Sequence, residues 1–133
     1  MRRYWLCAVL LLAGLCACDK DSIDIDQLSG SWYRTYPEGV IAEGSITWTF
    51  GADNQLQISI YDVFSNNTNH FYFSYRVSGD GKLLTLYESG GDGYVAQFGI
   101  GQCSRHRLVL TRLDCNSESD YYYMWSESYT FQK

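Results

Sequence analysis

The chain has 133 residues, with 10 lysines and arginines against 15 aspartates and glutamates, which gives a formal net charge of −5. This length predicts one domain, which can bury about two-thirds of its surface without a metal or a dense disulfide network. Phosphate binding requires a basic patch, so the acidic balance argues against nucleic acid as a partner.

Residues 1–17 predict a signal peptide that is removed on export. Arg2 and Arg3 supply a positive start, and residues 6–15 form an apolar run interrupted only by small side chains. A membrane-spanning helix needs about 20 apolar residues, so this run is too short to span a bilayer stably.

The end of this signal carries the motif Leu15-Cys16-Ala17-Cys18. It resembles the lipobox of bacterial lipoproteins, in which an apolar residue and two small ones precede the acylated cysteine. The resemblance implies cleavage before Cys18 and attachment to a lipid bilayer through acyl chains on Cys18. An ordinary secretory signal cleaved near Ala17, with no lipid attached, is the alternative.

Cleavage before Cys18 leaves 8 basic and 15 acidic residues, a net charge of −7. Residues 18–27 predict a flexible acidic tether, because Asp19, Asp21, Asp24 and Asp26 leave too little contiguous apolar surface to pack. Acidic residues just after the acylated cysteine also resemble the surface-export signal of some Gram-negative lipoproteins. The resemblances together imply an outer-membrane lipoprotein on the cell-surface or the periplasmic face.

Residues 28–133 predict a domain of eight short strands. Apolar and polar residues alternate with a period of two, as in half-buried strands, and turn residues recur about every ten residues. The predicted strands begin near Gly30 and then cover 46–50, 56–61, 71–77, 82–88, 94–102, 107–113 and part of 121–132. We expect an all-β fold, an eight-stranded antiparallel up-and-down barrel that closes on itself and leaves no open edge.

The motif Gly30-Ser31-Trp32 opens this domain. It resembles the Gly-x-Trp signature on the first strand of lipocalins, and residues 28–133 resemble the small lipocalin-like domains of bacterial lipoproteins. The resemblance implies that Gly30 and Trp32 close one end of the barrel. The chain departs from the family in its short length and in lacking an arginine in the final strand to stack on Trp32, since only Lys133 follows that strand.

Cysteine and histidine chemistry is sparse. Cys103 and Cys115 flank residues 107–112, and six extended residues at about 3.3 Å each separate them too far for a disulfide unless the flanking turns fold the two ends together. A buried thiol at Cys103 is the alternative to a bridge. Cys103 and His106 form an isolated pair, whereas a zinc site needs four ligands. We therefore expect no catalytic residues, no cofactor and no metal, and a protein that is not an enzyme.

Aromatic residues make up 17% of the chain. If the inward side chains leave a cavity, a small apolar or aromatic ligand would contact Trp48, Phe71, Phe73 and Tyr75. If they fill the barrel instead, the domain binds nothing inside.

The run Tyr121-Tyr122-Tyr123-Met124-Trp125 predicts aromatic side chains on the surface. Exposed aromatic rings often mark the recognition of a protein or a glycan, and we assign that role to Tyr121, Tyr122, Tyr123 and Trp125. An edge of the core is the alternative. Of the two functions, the sequence favours a barrel that binds a small apolar ligand over a filled barrel that binds a protein or glycan partner.

Overall fold

A computed structural model describes residues 23–34, 45–62 and 64–133 of the chain. The predicted signal peptide, Cys18 and the first five residues of the predicted tether lie outside the described residues. Within the described part, no helix is long and apolar enough to cross a membrane.

Eight antiparallel strands form a closed barrel in chain order, and the last strand pairs with the first. This confirms the fold class expected from the alternation. The strands are β1 (Gly30–Arg34), β2 (Ile46–Phe50), β3 (Gln55–Asp62), β4 (Asn67–Val77), β5 (Leu83–Glu88), β6 (Tyr94–Cys103), β7 (Arg107–Cys115) and β8 (Ser128–Gln132).

Each strand turns one face to the interior and the other to solvent. In β2, for example, Trp48 and Phe50 are buried, whereas Thr47 and Thr49 alternate with them on the outer side. Successive side chains of a strand point to opposite faces, so a period-two sequence buries all of its large apolar groups on one side. The twenty buried hydrophobic residues of the described chain form one core.

The two ends of the barrel differ. At the near end, β1 begins at Gly30, β8 ends beside Lys133, and short turns join β2 to β3, β4 to β5 and β6 to β7. At the far end, turns join β3 to β4 and β5 to β6, and residues 116–127 connect β7 to β8. The near end is the end at which the N-terminal segment reaches the barrel.

The predicted tether ends earlier than residue 27. Ile23 forms a parallel bridge with Cys103, and the amide of Asp24 donates to the Cys103 carbonyl oxygen at 2.8 Å. A 3₁₀ turn, Ile25–Gln27, follows, and Ile23 and Ile25 pack against the core. The two isoleucines supply enough apolar surface once the end of β6 is beside them, so residues 23–27 belong to the domain.

Cys103 and Cys115, the two cysteines among the described residues, are free. Cys103 pairs with Leu108 at the near end of the β6–β7 hairpin, whereas Cys115 pairs with Ala96 towards the far end. Cys103 is fully buried and belongs to the core. The hairpin thus keeps the two thiols apart, and a disulfide between them is not formed.

Candidate functional site

Aromatic rings fill the barrel interior. The ring centroid of Trp48 lies 5.0 Å from Tyr129 and 5.3 Å from Phe131. It also lies 5.7 Å from Phe98, at an edge-to-face angle of 80°. All four side chains are at most 2% exposed. Centroid distances of about 4.5–7 Å are those of rings in contact, so the side chains of the protein occupy this space themselves.

Four residues were predicted to line a ligand cavity: Trp48, Phe71, Phe73 and Tyr75. The structure places all four on inward positions of β2 and β4 but packs them against other side chains. Phe73 is fully buried and lies 5.0 Å from the ring of Tyr121. Tyr75 is 9% exposed, and burial raises the pKa of its phenol. Phe71 is half-buried, and its ring centroid lies 6.2 Å from that of Tyr121.

Residues 116–127 fold back over the far end of the barrel. A 3₁₀ turn, Tyr122–Met124, replaces the strand expected there, and β8 begins only at Ser128. Tyr121 packs onto Phe73, and Trp125 is only 5% exposed. The surface role predicted for Trp125 is therefore wrong, because this side chain belongs to the core. Tyr121 is half-buried, whereas Tyr123 is 94% exposed.

Trp125 acts as a plug at this end. Its ring centroid lies 5.4 Å from that of Phe73, 5.7 Å from Phe98 and 6.0 Å from Trp48. It thereby joins side chains from three different strands. Tyr122, which is 37% exposed, stacks edge-on against Tyr123 outside the barrel.

Two arginines hold the plug segment in place. A guanidinium N–H of Arg112 donates to the Trp125 carbonyl oxygen at 3.0 Å, and Arg34 donates to the Ser126 hydroxyl at 2.9 Å. The amide of Ser126 in turn donates to the hydroxyl oxygen of Tyr129 at 2.9 Å. Burial raises the pKa of Tyr129, so the phenol stays protonated beneath the segment. Hydrogen bonds from β1, β7 and β8 thus fix the plug.

Trp125 differs from Trp32 in the hydrogen bonding of its indole nitrogen. Nε1 of Trp125 is buried and finds no hydrogen-bond acceptor among the described residues. Trp32, by contrast, donates from Nε1 to the carbonyl oxygen of Leu28 at 2.8 Å. A buried donor without a partner costs about 1–3 kcal/mol. Nε1 of Trp125 is therefore a buried polar atom of the described chain that lacks a hydrogen bond.

The near end is closed by Trp32, which is fully buried. Gly30 has φ +112°, which disfavours other residues, and a Cβ there would lie 3.0 Å from Cε of Lys133. The lysine thus approaches the glycine closely while its ammonium lies over the Trp32 ring. The final strand, β8, contains no arginine, and Lys133 after it supplies the cation over Trp32.

Clefts open on the surface of the described residues. One, of about 410 Å³, lies at the near end between Ile25, Leu28 and the near-end part of β4 at Tyr75 and Arg76. Another, of about 270 Å³, lies between β4 and the β5–β6 turn. Both are partly open to solvent and neither reaches the aromatic cluster around Trp48.

Eight uncharged residues form part of the outer side of the first four strands. The strand register aligns their side chains in two rows across β1, β2, β3 and β4. The first row is Ser31, Thr49, Gln57 and Tyr72, and the second is Tyr33, Thr47, Ser59 and His70. We call these eight residues the β1–β4 face. Its two tyrosines are 55% and 58% exposed.

Hydrogen bonds between neighbouring strands order this face. The hydroxyls of Ser31 and Thr49 lie 2.9 Å apart. Nδ1 of His70 lies 3.1 Å from the amide nitrogen of Gln57 and 2.9 Å from the Ser59 hydroxyl. The face therefore carries hydrogen-bonding groups that are already ordered by one another.

No protein-family model matches the chain, and neither a curated protein nor a solved structure matches it. Within the described ranges, no group of three or more histidine, cysteine, aspartate or glutamate side chains is placed to hold a metal ion. The function is therefore inferred from the positions and contacts of the side chains.

The sequence reasoning overlooked the β1–β4 face. The signal was present in the polar positions of each alternating run, such as Thr47 and Thr49 in β2 or Gln57 and Ser59 in β3, which carry no charge. Only the strand register shows that these positions align with the exposed rings of Tyr33 and Tyr72. The two arginines that hold the plug were also overlooked, since their partners, Trp125 and Ser126, lie in the connection between β7 and β8.

Proposed function

We propose that this protein is a lipid-anchored, lipocalin-like interaction module that is exported, acylated at Cys18 and held at an outer membrane. It recognises a partner with its outer surface rather than carrying a ligand inside. The observation that supports this proposal is the interior filled by Trp48, Phe98, Tyr129 and Phe131, which contact one another directly. A rigid, filled barrel serves as a scaffold for its exterior.

The plug makes interior binding costly. A ligand that enters from the far end must displace Trp125 from Phe73 and Phe98. Loss of a buried tryptophan from a core costs about 3–5 kcal/mol. Breaking a hydrogen bond from a charged donor such as Arg112 adds about 1.5–3 kcal/mol. A ligand would have to offset both terms before it gained any affinity.

The position of the anchor supports presentation of the outer surface. Cys18 precedes Ile23 by five residues, and Ile23 is bridged to Cys103 at the near end. An extended chain spans at most about 3.6 Å per residue, so Cys18 is within about 18 Å of Ile23. Acylation at Cys18 therefore directs the near end towards the bilayer and leaves the barrel wall and the far end accessible.

A second candidate function, binding of a small apolar ligand within the barrel, is favoured by one observation. Nε1 of Trp125 is a buried donor without an acceptor among the described residues. A ligand with a carbonyl or hydroxyl oxygen would satisfy this donor if residues 116–127 opened. The cost of moving the plug is the reason that we place this function second.

Native mass spectrometry of the full chain, extracted from the cells that make it, separates the two functions. We expect the mass of the acylated polypeptide and no more. A discrete additional mass that disappears under denaturing conditions would contradict the proposal and favour the second candidate. The same sample measured after denaturation is the control, since acyl chains on Cys18 remain bound and a ligand does not.

A further inference from the structure

We propose that the β1–β4 face binds an uncharged glycan chain, with Tyr33 and Tyr72 as the two rings on which sugars stack. The inference rests on the proposed function, because it identifies the partner class and the part of the outer wall that contacts it. Three features of the face carry it: the lack of charge, the exposed rings and the ordered polar groups between them.

The first feature is charge. Soluble proteins carry charged side chains at about a quarter to a third of their surface positions, so about two would be expected among eight residues. None of the eight residues of the β1–β4 face is formally charged, and the first charged residue beyond it on the outer side of β4 is Arg76. A neutral face does not attract an ionic partner, and desolvating it leaves no unpaired charge.

The second feature is the pair of exposed rings. Tyr33 and Tyr72 are the exposed large hydrophobic side chains on the outer side of these strands, at 55% and 58%. They lie on β1 and β4, three interstrand spacings of about 4.8 Å apart, and in different rows, two residues apart along the strands. Sugar rings present C–H faces that pack on aromatic rings. The separation suits a chain of several sugars rather than a single one.

The third feature is the set of polar groups between the rings. Nδ1 of His70 lies 3.1 Å from the amide nitrogen of Gln57 and 2.9 Å from the Ser59 hydroxyl. Sugar hydroxyls both donate and accept, so mixed neutral groups match them better than a row of one kind. Because the groups are already ordered by one another, binding loses little side-chain entropy.

A protein partner fits this face less well. Protein interfaces are enriched in arginine and methionine as well as in aromatic residues. The β1–β4 face contains neither, and its side chains between the two tyrosines are short hydroxyl and amide groups. The chemistry therefore favours a polyhydroxylated, uncharged ligand.

The test is a glycan array of neutral and acidic oligosaccharides, probed with the full acylated chain in a zwitterionic detergent that carries no sugar headgroup. We expect binding to one class of neutral oligosaccharide and not to acidic ones. Tyr33→Ala combined with Tyr72→Ala should weaken that binding by about tenfold or more, the scale of losing one well-packed aromatic contact. Tyr72→Phe, which keeps the ring, should retain most of it.

Phe64→Ala is the matched control, because Phe64 is 91% exposed but lies in the turn between β3 and β4. It should bind as the unmodified chain does. Binding that is lost in Phe64→Ala and kept in the double variant would overturn the proposal, as would a preference for acidic glycans or no binding on the array. If binding is absent while native mass spectrometry shows a bare chain, the glycan proposal fails and the filled-barrel function stands.

Discussion

Lys133 lies over Trp32 and closes the near end of the barrel. Its Nζ is 4.7 Å from the centroid of the indole ring and donates hydrogen bonds to the carbonyl oxygens of Gln27 and Ser29. The side chain of this residue, which follows β8, thus joins the segment before β1, the first strand and the last. The cation over Trp32 comes from the residue after β8 rather than from within the strand.

Lys133→Met should destabilise the fold. The variant loses a cation–π contact worth about 0.5–1 kcal/mol at an exposed site, together with hydrogen bonds that solvent partly replaces. We expect the free energy of unfolding in urea to fall by about 1–2 kcal/mol. Lys82→Met, in the exposed β4–β5 turn, removes the same charge and is the control. Equal losses in the two variants would argue against a closing role for Lys133.

The two buried tryptophans should respond differently to replacement by phenylalanine. Trp32→Phe removes the donor to the Leu28 carbonyl, which costs about 1–3 kcal/mol beyond the lost ring volume. Trp125→Phe removes an Nε1 that has no acceptor among the described residues, so only ring volume is lost. Urea denaturation should therefore show the smaller destabilisation for Trp125→Phe. The reverse order would mean that Nε1 of Trp125 is bonded.

Cys18→Ala should release the protein from the membrane. Several acyl chains give stable attachment, whereas a single chain is marginal. Without Cys18 the lipobox-like motif lacks the cysteine that follows two small residues, and the chain should move to the soluble fraction. Retention of Cys18→Ala in membranes after a carbonate wash would contradict the lipoprotein assignment.

The two thiols should be free and unequally reactive. Burial, with the nearby Asp24 carboxylate, raises the pKa of the Cys103 thiol to about 11, so this thiol stays protonated at pH 8. The thiolate is the reactive form, and its fraction rises about tenfold per pH unit below the pKa. Cys115, which is partly exposed, should be labelled first, and Cys103 only on unfolding or as the pH approaches 11. Fewer than two thiols in the denatured, unreduced mature chain would indicate a bridge.

The strands could be predicted because their signal is local. In β2, Trp48 and Phe50 alternate with Thr47 and Thr49, and this pattern alone specifies a strand with one buried face. Eight such runs with short turns permit few arrangements other than a meander that closes on itself. The architecture therefore follows from residues that are neighbours in the sequence.

The errors concern contacts between distant residues. Ile23 looks like part of a tether until Cys103, at the end of β6, lies beside it. Trp125 follows three tyrosines without any alternation, so its side chain could be assigned to neither face from the sequence. Its burial depends on how residues 116–127 cross the far end towards Phe73, which is set by tertiary packing.

The same limit applies to the sites. Trp48 and Phe73 were placed correctly on the inward side of their strands, but whether they line a cavity depends on the rings of Tyr129 and Trp125 from the other side of the barrel. The β1–β4 face depends likewise on register across four strands. The alternation of apolar and polar residues indicates which side chains face outward. Only the strand pairing determines which of them are neighbours.

The tryptophans report directly on whether the protein fills its own barrel. The proposed cleavage before Cys18 leaves three tryptophans, Trp32, Trp48 and Trp125, which are 0%, 1% and 5% exposed. Acrylamide quenches the fluorescence of indoles that it can contact. We predict that the native chain is barely quenched and that unfolding in urea makes all three tryptophans accessible. Quenching of the native chain that approaches the unfolded level would show an interior open to solutes and contradict the account.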